Sequence, residues 1–455
     1  PRCYEAPRLG TLKGIPRCRL PNRRGGPMSL LGIGVVLLVL VLIGIPIAIS
    51  LGLVSVLAMI TGPGGVGSIP NVGLVMFSGA TSFPLIAIPL FILAGAIMNA
   101  SGISRRLVAF ASAMVGFVRG GLAMVSISAS LFFAEISGSA VADVAALGSI
   151  LIPAMKNKGY SSSFAAAVTS SSATLAVIIP PSIPMILYGV MSGSSVVELF
   201  VAGIVPGVLG GLMMMFVAYL LARRHNFPTE EMFKLARVWE TFKEAIWALS
   251  LPLIILGGIF GGWVTATEGA GLAVVAAVII GGVVYRELDW GHLKTAILEG
   301  GTQTAVVMLL VAASALLGDY LTEVRVPQQV AEGIMSLTQD RWAILLLLNA
   351  FFLVIGLVLH SAAAIILVVP IVMPLVLAAG IDPVHFGLVV TLNLGIGQQT
   401  PPVASVLVTA CSVAKADIWE VSKVNVYFVA VLLAVLLLVT YVPSIPMILV
   451  EIFYR

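Results

Sequence analysis

Apolar residues in this chain run on without a polar face. The stretches 30–60, 196–222, 264–284, 304–317, 342–359 and 424–442 contain almost no charge. About 20 apolar residues in helical form cross a bilayer core of roughly 30 Å. The pattern therefore predicts roughly ten such segments. Lipid offers backbone groups no hydrogen-bond partner, so spanning segments are helices or closed barrels. Barrel strands alternate polar and apolar positions, and these segments do not. The predicted fold class is an all-α integral membrane protein.

Proline and glycine, concentrated inside the apolar part, punctuate these helices twice in the same rhythm. Comparing residues 137–191 with 358–412, Pro153 matches Pro374, Gly159 matches Gly380, and Pro180-Pro181 matches Pro401-Pro402. Every pair is 221 positions apart. Each copy has an apolar stretch broken by small polar residues, a glycine turn, and a helix broken at a double proline. In the first copy, segments 122–136 and 140–155 come to about 23 Å each at 1.5 Å per residue, short of the bilayer core. Arg119 stands before them and Lys156 and Lys158 after. Positive flanks stay cytoplasmic, so the pair reads as a re-entrant hairpin with its tip at 137–139. Following the basic clusters onward puts a loop at 319–340 outside. The second hairpin, 342–379, then opens on the opposite face, making the repeats inverted. Segments 104–119 and 229–247 are expected along the cytoplasmic surface, their basic residues acting as lipid-facing anchors.

Composition agrees: 60% of residues are hydrophobic and 10% charged, where a soluble domain carries about 25% charged residues. The net charge of +4 is local. Residues 1–27 hold seven of the 24 basic residues and one of the 20 acids, so the remainder has 17 basic and 19 acidic residues. Residues 1–27 read as a disordered basic leader or a misassigned start, and no nucleic-acid partner is expected. Two of the three cysteines lie in that segment, which leaves Cys411 and neither a disulfide framework nor a cysteine metal site. The apolar segments contain no Ser/His/Asp set, no His-Glu-x-x-His and no paired aspartates, so no enzyme is expected.

The chemistry concentrates at four interruptions, 137–139, 174–182, 359–362 and 395–404. Unwound segments at mid-membrane depth expose carbonyls and helix ends that can hold ions and substrate. They bring Ser137, Ser139, Ser171, Ser172, Thr174, Asn393, Gln398, Gln399 and Thr400, and no Arg or Lys. Neutral oxygens suit a hard monovalent cation such as sodium; a divalent ion would want carboxylates. An anionic substrate would meet bound cations and helix N-termini, with Ser139, Ser182, Gln399 and Thr400 as candidate contacts. The bland alternative is that small polar residues only let helices pack closely. Glu135, Asp143 and His360 are ionisable groups in or beside the hairpins, where charge is costly and usually functional. Glu268 reads as a helix cap.

These motifs resemble the large membrane subunit of tripartite ATP-independent periplasmic (TRAP) transporters. The runs that carry the likeness include residues 83–95 and 133–148, Ile178-Ile179-Pro180-Pro181-Ser182-Ile183, Thr267-Glu268-Gly269-Ala270, residues 380–387, and Thr400-Pro401-Pro402-Val403. The resemblance implies an elevator-type, sodium-driven importer of small carboxylates such as C4-dicarboxylates, keto acids or sugar acids. It implies a bacterial inner-membrane location, a small four-helix membrane subunit and a periplasmic binding protein as partners, and two sodium sites. One site maps to Ser137, Gly138, Ser139, Thr174 and Pro180, the other to Ser361, Gly397, Thr400 and Pro401. Three departures stand out: Ala173-Thr174-Leu175-Ala176 where the family has Gly-Thr-Leu-Gly, Ala404 for a glycine, and His360 where an acid is common. The expected division is a leader (1–27), a scaffold with an arm helix (28–120), the first hairpin and broken helix (121–195), scaffold (196–341), the second hairpin and broken helix (342–415), and a C-terminal scaffold helix (416–455). The rival reading is a divalent-anion/sodium symporter that works without a binding protein.

Overall fold

The computed structural model describes residues 30–62, 65–225, 227, 233–401 and 403–455, and the side chains of residues 30, 31, 38, 42 and 134–137 stand outside the description. The leader reading of 1–27 and the side chains of Glu135 and Ser137 therefore fall outside the described residues. Among those described there is no β-strand. The first half runs α1 (Leu30–Leu42), α2 (Ile47–Thr61), α3 (Ile69–Ala80), α4 (Ala87–Ala100), α5 (Ile103–Val115), α6 (Gly121–Ser137), α7 (Ala140–Asn157), α8 (Ser162–Ala173), α9 (Ile183–Ser192) and α10 (Val196–Arg224). The second runs α11 (Leu235–Phe260), α12 (Ala266–Ile279), α13 (Trp290–Glu323), α14 (Val326–Leu337), α15 (Arg341–Gly356), α16 (Ser361–Ala378), α17 (Pro383–Gly397), α18 (Ser405–Ala414), α19 (Ile418–Tyr441) and α20 (Ser444–Tyr454).

The repeat extends well beyond the segments in which the sequence revealed it. Each helix from α5 to α10 has a partner from α14 to α19 that begins 220–223 positions later, and α7 and α16 are both 18 residues long. The pair α3–α4 corresponds to the unbroken α13, which starts 221 positions after α3. Pro84 lies in the first positions of a 3-10 turn, Phe83–Ile86, between α3 and α4; a proline lacks the N–H that a continuous helix needs.

Inversion can be read from the two ends of α10. Its 29 residues span about 43 Å. At one end Glu198 accepts from Arg455, which also holds Asp382 at the base of the second hairpin. At the other, Phe227 packs on Tyr160 and Phe164, with ring centroids 4.4 and 4.9 Å apart, at the base of the first hairpin. The two bases therefore lie on opposite membrane faces. Lys156, at the first base, donates to the carbonyl of Ala414 where α18 ends. Tyr188 in α9 donates to the carbonyl of Pro383 at the second base. Each broken helix thus ends beside the root of the other copy's hairpin.

Among the described residues eight helices, α7 and α16 included, are long and apolar enough to cross a membrane. Length does not mark these two as re-entrant; the position of their tips does. Gly138 lies against the Pro181 carbonyl, midway along the first broken helix: a Cβ there would come 2.9 Å from that oxygen.

Several outer elements differ from the sequence expectation. Residues 235–260 form one helix, α11, so the expected surface segment 229–247 continues straight into its membrane span. No Pro or Gly interrupts it before Pro252, so nothing in the chain stops the helix. The expected loop 319–340 is largely helical, taken up by the end of α13 and by α14. The run 30–60 breaks at residues 43–46, ahead of Pro46. The arm helix α5 buries Ile103, Leu107, Phe110 and Ala111. Its arginines are paired within the protein: Arg105 and Arg106 each donate to Glu287 at 2.7 Å, and Arg106 stacks on Tyr285 at 3.8 Å. Glu268 does cap its helix, in a reciprocal box with Thr265. Finally, α10 and α19, assigned with the scaffold by the sequence division, pack against the hairpins and broken helices.

Candidate ion and substrate site

The first interruption is built in three steps. Helix α8 ends at Ala173, a 3-10 turn covers Thr174–Val177, and α9 restarts at Ile183 behind its cap Ser182. The Ser182 hydroxyl donates to the Val177 carbonyl at 2.6 Å and accepts from the Met185 N–H. It is fully buried, so it closes the break, and its hydroxyl is already engaged. At the facing tip, Gly138 adopts φ +57°, a left-handed conformation open to glycine, and Ser139 takes the cap position of α7 in extended conformation. Pro180 lines an apolar cavity of about 470 Å³ with Leu131, Phe132 and Val208, so it fronts the flank of the break.

The second interruption is held to its own hairpin. Gly356, the last residue of α15, meets Gly397, the last of α17, backbone to backbone: a Cβ on Gly397 would fall 2.4 Å from Gly356 Cα. Gln398 Nε2 donates to Ser361 Oγ at 2.8 Å, and Ser405 Oγ reaches back to Gln398 Oε1 at 3.4 Å. One amide thus ties the hairpin tip to the break and bridges the break itself. His360 caps α16, its Nδ1 facing the Ala362 N–H at 3.4 Å. Thr400 Oγ1 donates to the Ile396 carbonyl at 3.2 Å.

Hydroxyl bookkeeping separates packing from candidate ligands. A hydroxyl has one donor and two acceptor lone pairs. Ser172 shares a bond with Ser130 of the first hairpin at 2.9 Å, and Ser171 donates to Asn425 of α19 at 2.6 Å. At the position 221 residues after Ser172, Asn393 donates to Asn349 of the second hairpin at 2.6 Å. These residues join helices, as small polar groups in membranes do. Thr174 directs its proton at the Ser170 carbonyl and accepts one bond, from Gln399 Nε2. Thr174 therefore retains one acceptor lone pair, and Thr400 retains two. Together with the carbonyls freed where helices end, these oxygens fit a monovalent cation. Among the described residues no group of three or more His, Cys, Asp or Glu could hold a metal ion.

Gln399 is 1% exposed. Its Nε2 donates to the Ser170 carbonyl at 2.8 Å and to Thr174 Oγ1 at 2.5 Å, and its Oε1 accepts from Asn425 Nδ2 at 3.3 Å. The side chain expected to touch substrate is thus engaged between the two broken helices. Asn425 was not singled out from the sequence. Its signal was there: an amide in a run of apolar residues is costly in lipid unless partnered. Asp143 is fully buried in the first turn of α7.

Inverted repeats whose hairpin tips meet interrupted helices inside the membrane define a secondary-transporter architecture. Residues 34–445 match the family described as the tripartite ATP-independent periplasmic transporter, DctM component. The chain belongs to that family, whose members compared below are transporter permeases, and it is a multi-pass inner-membrane protein. It is 43% identical over 403 residues to the isethionate TRAP transporter permease protein DctMQ of Oleidesulfovibrio alaskensis, covering 87% of this chain and 62% of that protein. It is 37% identical to the C4-dicarboxylate TRAP transporter large permease protein DctM of Pseudomonas aeruginosa, over 83% of this chain and 88% of that one. It is also 37% identical to the 2,3-diketo-L-gulonate TRAP transporter large permease protein YiaN of Escherichia coli, over 81% and 87%. Among solved structures, the YdaH transporter of Alcanivorax borkumensis aligns with a TM-score of 0.54 at 16% identity, over 84% of this chain and 90% of that one. That likeness concerns the fold.

Proposed function

We propose that this chain is the transporting subunit of a sodium-coupled importer of small organic acids, fed by a periplasmic binding protein and completed by a small membrane subunit. The observation that carries the reading is the pairing, in two inverted copies, of a hairpin tip with an interrupted helix. Spare acceptor oxygens remain there on Thr174 and Thr400, and the interruptions contain no Arg or Lys. Without a basic side chain, an acidic substrate needs the bound cations for charge balance, which couples the two fluxes. Relatives named for C4-dicarboxylates, a diketo sugar acid and isethionate support a small oxyanion as the substrate class. In this reading one cation site uses Ser137, Gly138, Ser139, Thr174 and Pro180, and the other Ser361, Gly397, Thr400 and Pro401. Thr400 remains a substrate-facing candidate, Ser182 and Gln399 being occupied within the protein, and Ser139 keeps its candidacy from its place at the hairpin tip. The moving body comprises both hairpins, both broken helices, α10 and α19, and it slides as an elevator past the remaining helices.

The test is uptake by vesicles that hold this chain with its small subunit and a loaded binding protein. Uptake should vanish when external sodium is replaced by choline. Thr400→Ala should raise the sodium required for half-maximal uptake several-fold. Uptake indifferent to sodium would overturn the coupling, and equal uptake without the binding protein would favour a stand-alone symporter.

A further inference from the structure

The polar junction between the two broken helices has a property that the repeat does not explain. Gln399, Thr174 and Asn425 come from three elements, all fully or nearly fully buried. Positions 221 residues away hold Ile178, Gly395 and Ile204, none of which can form the same bonds. The junction is therefore present once in a molecule whose backbone is built twice. It also has direction. Gln399 immediately precedes Thr400, a candidate ligand of the second site. Its side chain ends on Thr174, a candidate ligand of the first, and Asn425 Nδ2 holds both the Gln399 carbonyl and Oε1 at 3.3 Å. Asn425 is in turn fixed by the Ser171 hydroxyl at 2.6 Å, one turn before the first break.

We infer that Gln399 and Asn425 are positioning residues that couple the two cation sites. This inference rests on the sodium reading above. A cation drawing on the remaining lone pair of Thr174 pulls the hydroxyl that Gln399 holds. Leaving buried amides unpaired is expensive, so the Gln399 peptide follows the hydroxyl, and Thr400 moves with it. Binding at one interruption thus prepares the other, and by linkage the effect is reciprocal. Simple helix glue would act differently: its loss would lower stability and leave the relation between the sites unchanged.

Sodium titration of the purified chain, followed by tryptophan fluorescence and by thermal unfolding at each sodium concentration, separates these cases. The wild type should bind sodium cooperatively, with a Hill coefficient above 1. Asn425→Leu should bring the coefficient to 1 and separate the two binding steps about tenfold, within the usual range of site–site coupling. Asn425→Ala likewise removes the donor to Gln399. It carries the same test if the leucine variant does not fold. Wild-type cooperativity that persists in the variant overturns the coupling and leaves the sodium reading standing. A wild type without any response to sodium overturns both, and a wild type with a Hill coefficient of 1 overturns the coupling alone.

Discussion

Substituting Gly397 by alanine tests the closest approach in the site. An ideal Cβ on Gly397 falls 2.4 Å from both Cα and the carbonyl carbon of Gly356 and 2.7 Å from its oxygen. Non-bonded carbons rest about 3.5–4.0 Å apart, so α15 and α17 would have to part by about 1 Å. No rotamer offers relief, because every atom named belongs to a backbone. Overpacking of this kind typically costs about 1–3 kcal/mol, and the upper end is expected where backbone meets backbone. The same displacement would stretch the 2.8 Å bond from Gln398 to Ser361 beyond hydrogen-bonding range, losing roughly another 1 kcal/mol. Thermal unfolding of the purified protein in detergent measures the sum. Gly271→Ala is the control: it lies in α12, and a Cβ there meets nothing within 4 Å. The control should be neutral or slightly stabilised, since alanine favours helix over glycine by about 0.5–1 kcal/mol. Gly397→Ala should unfold well below both and respond more weakly to sodium. An unchanged midpoint together with an unchanged sodium response would refute the proposed apposition of hairpin and broken helix.

Two further substitutions follow from the backbone and the charges. Ala404 sits at φ 42°, ψ 51°, where a non-glycine residue loses about 1–2 kcal/mol; glycine returns about 0.4–1 kcal/mol of that through the unfolded chain. Ala404→Gly should therefore raise the unfolding midpoint by the equivalent of about 0.5–1 kcal/mol, and a lower midpoint would show that the buried methyl contributes more by packing. Beside the arm helix, the hydrogen bond from Arg106, helped by the charges of both arginines, outweighs burial and holds the Glu287 carboxyl below its ordinary range. A lowered folded pKa means stability that is complete above the unfolded value and lost as pH falls through the folded one. Hydrogen-exchange protection of α5 should thus hold from neutral pH down to about 4.5, the ordinary glutamate value, and fall below it. Glu287→Gln should weaken that protection near neutral pH, by about 0.2–1 kcal/mol for so exposed a pair, and the difference from the wild type should close as the acid range protonates Glu287. Protection that is flat through the acid range would show that the arm is held by its apolar face alone.

Legibility from sequence followed the residues that break helices. Pro180 and Pro401 announce interruptions because proline removes a donor and clashes with the preceding turn, so the breaks were visible; Pro153 and Pro374 lie inside the continuous α7 and α16 and revealed the repeat only by their spacing. Apolar runs carry no such information about neighbours. In lipid, a side chain facing another helix and one facing an acyl chain are equally apolar, so the packing of α10 and α19 against the hairpins and broken helices could not be read from their composition. The Arg105–Glu287 pair joins residues 182 positions apart, and nothing local distinguishes a paired surface arginine from a lipid anchor. At the site, residue types were legible but their partners were not. Gln399 read as a candidate substrate contact, and the bonds that occupy it come from Asn425 and Thr174 in other elements.

The two copies share a backbone plan but not a set of ligands. Thr174 has Gly395 at the matching position, Ser361 has Ala140, Thr400 has Ile179, and the caps Ser139 and His360 correspond to each other. Helix interruption places free carbonyls at both tips by geometry alone, and this much the duplication guarantees. The hydroxyls were then supplied independently, from hairpin tip and broken helix in each half but at positions that do not match between the halves. On the sodium reading, two sites of common architecture and different side chains must differ in affinity, because ion selectivity and strength follow ligand number and field. Unequal sites fill in order. A junction that exists once, running from Thr174 through Gln399 to Thr400, is what an ordered sequence requires, since a symmetric link would serve either order alike. The asymmetry of the polar residues is therefore a more specific sign of coupled transport than the symmetry of the helices, which a purely structural duplication would also produce.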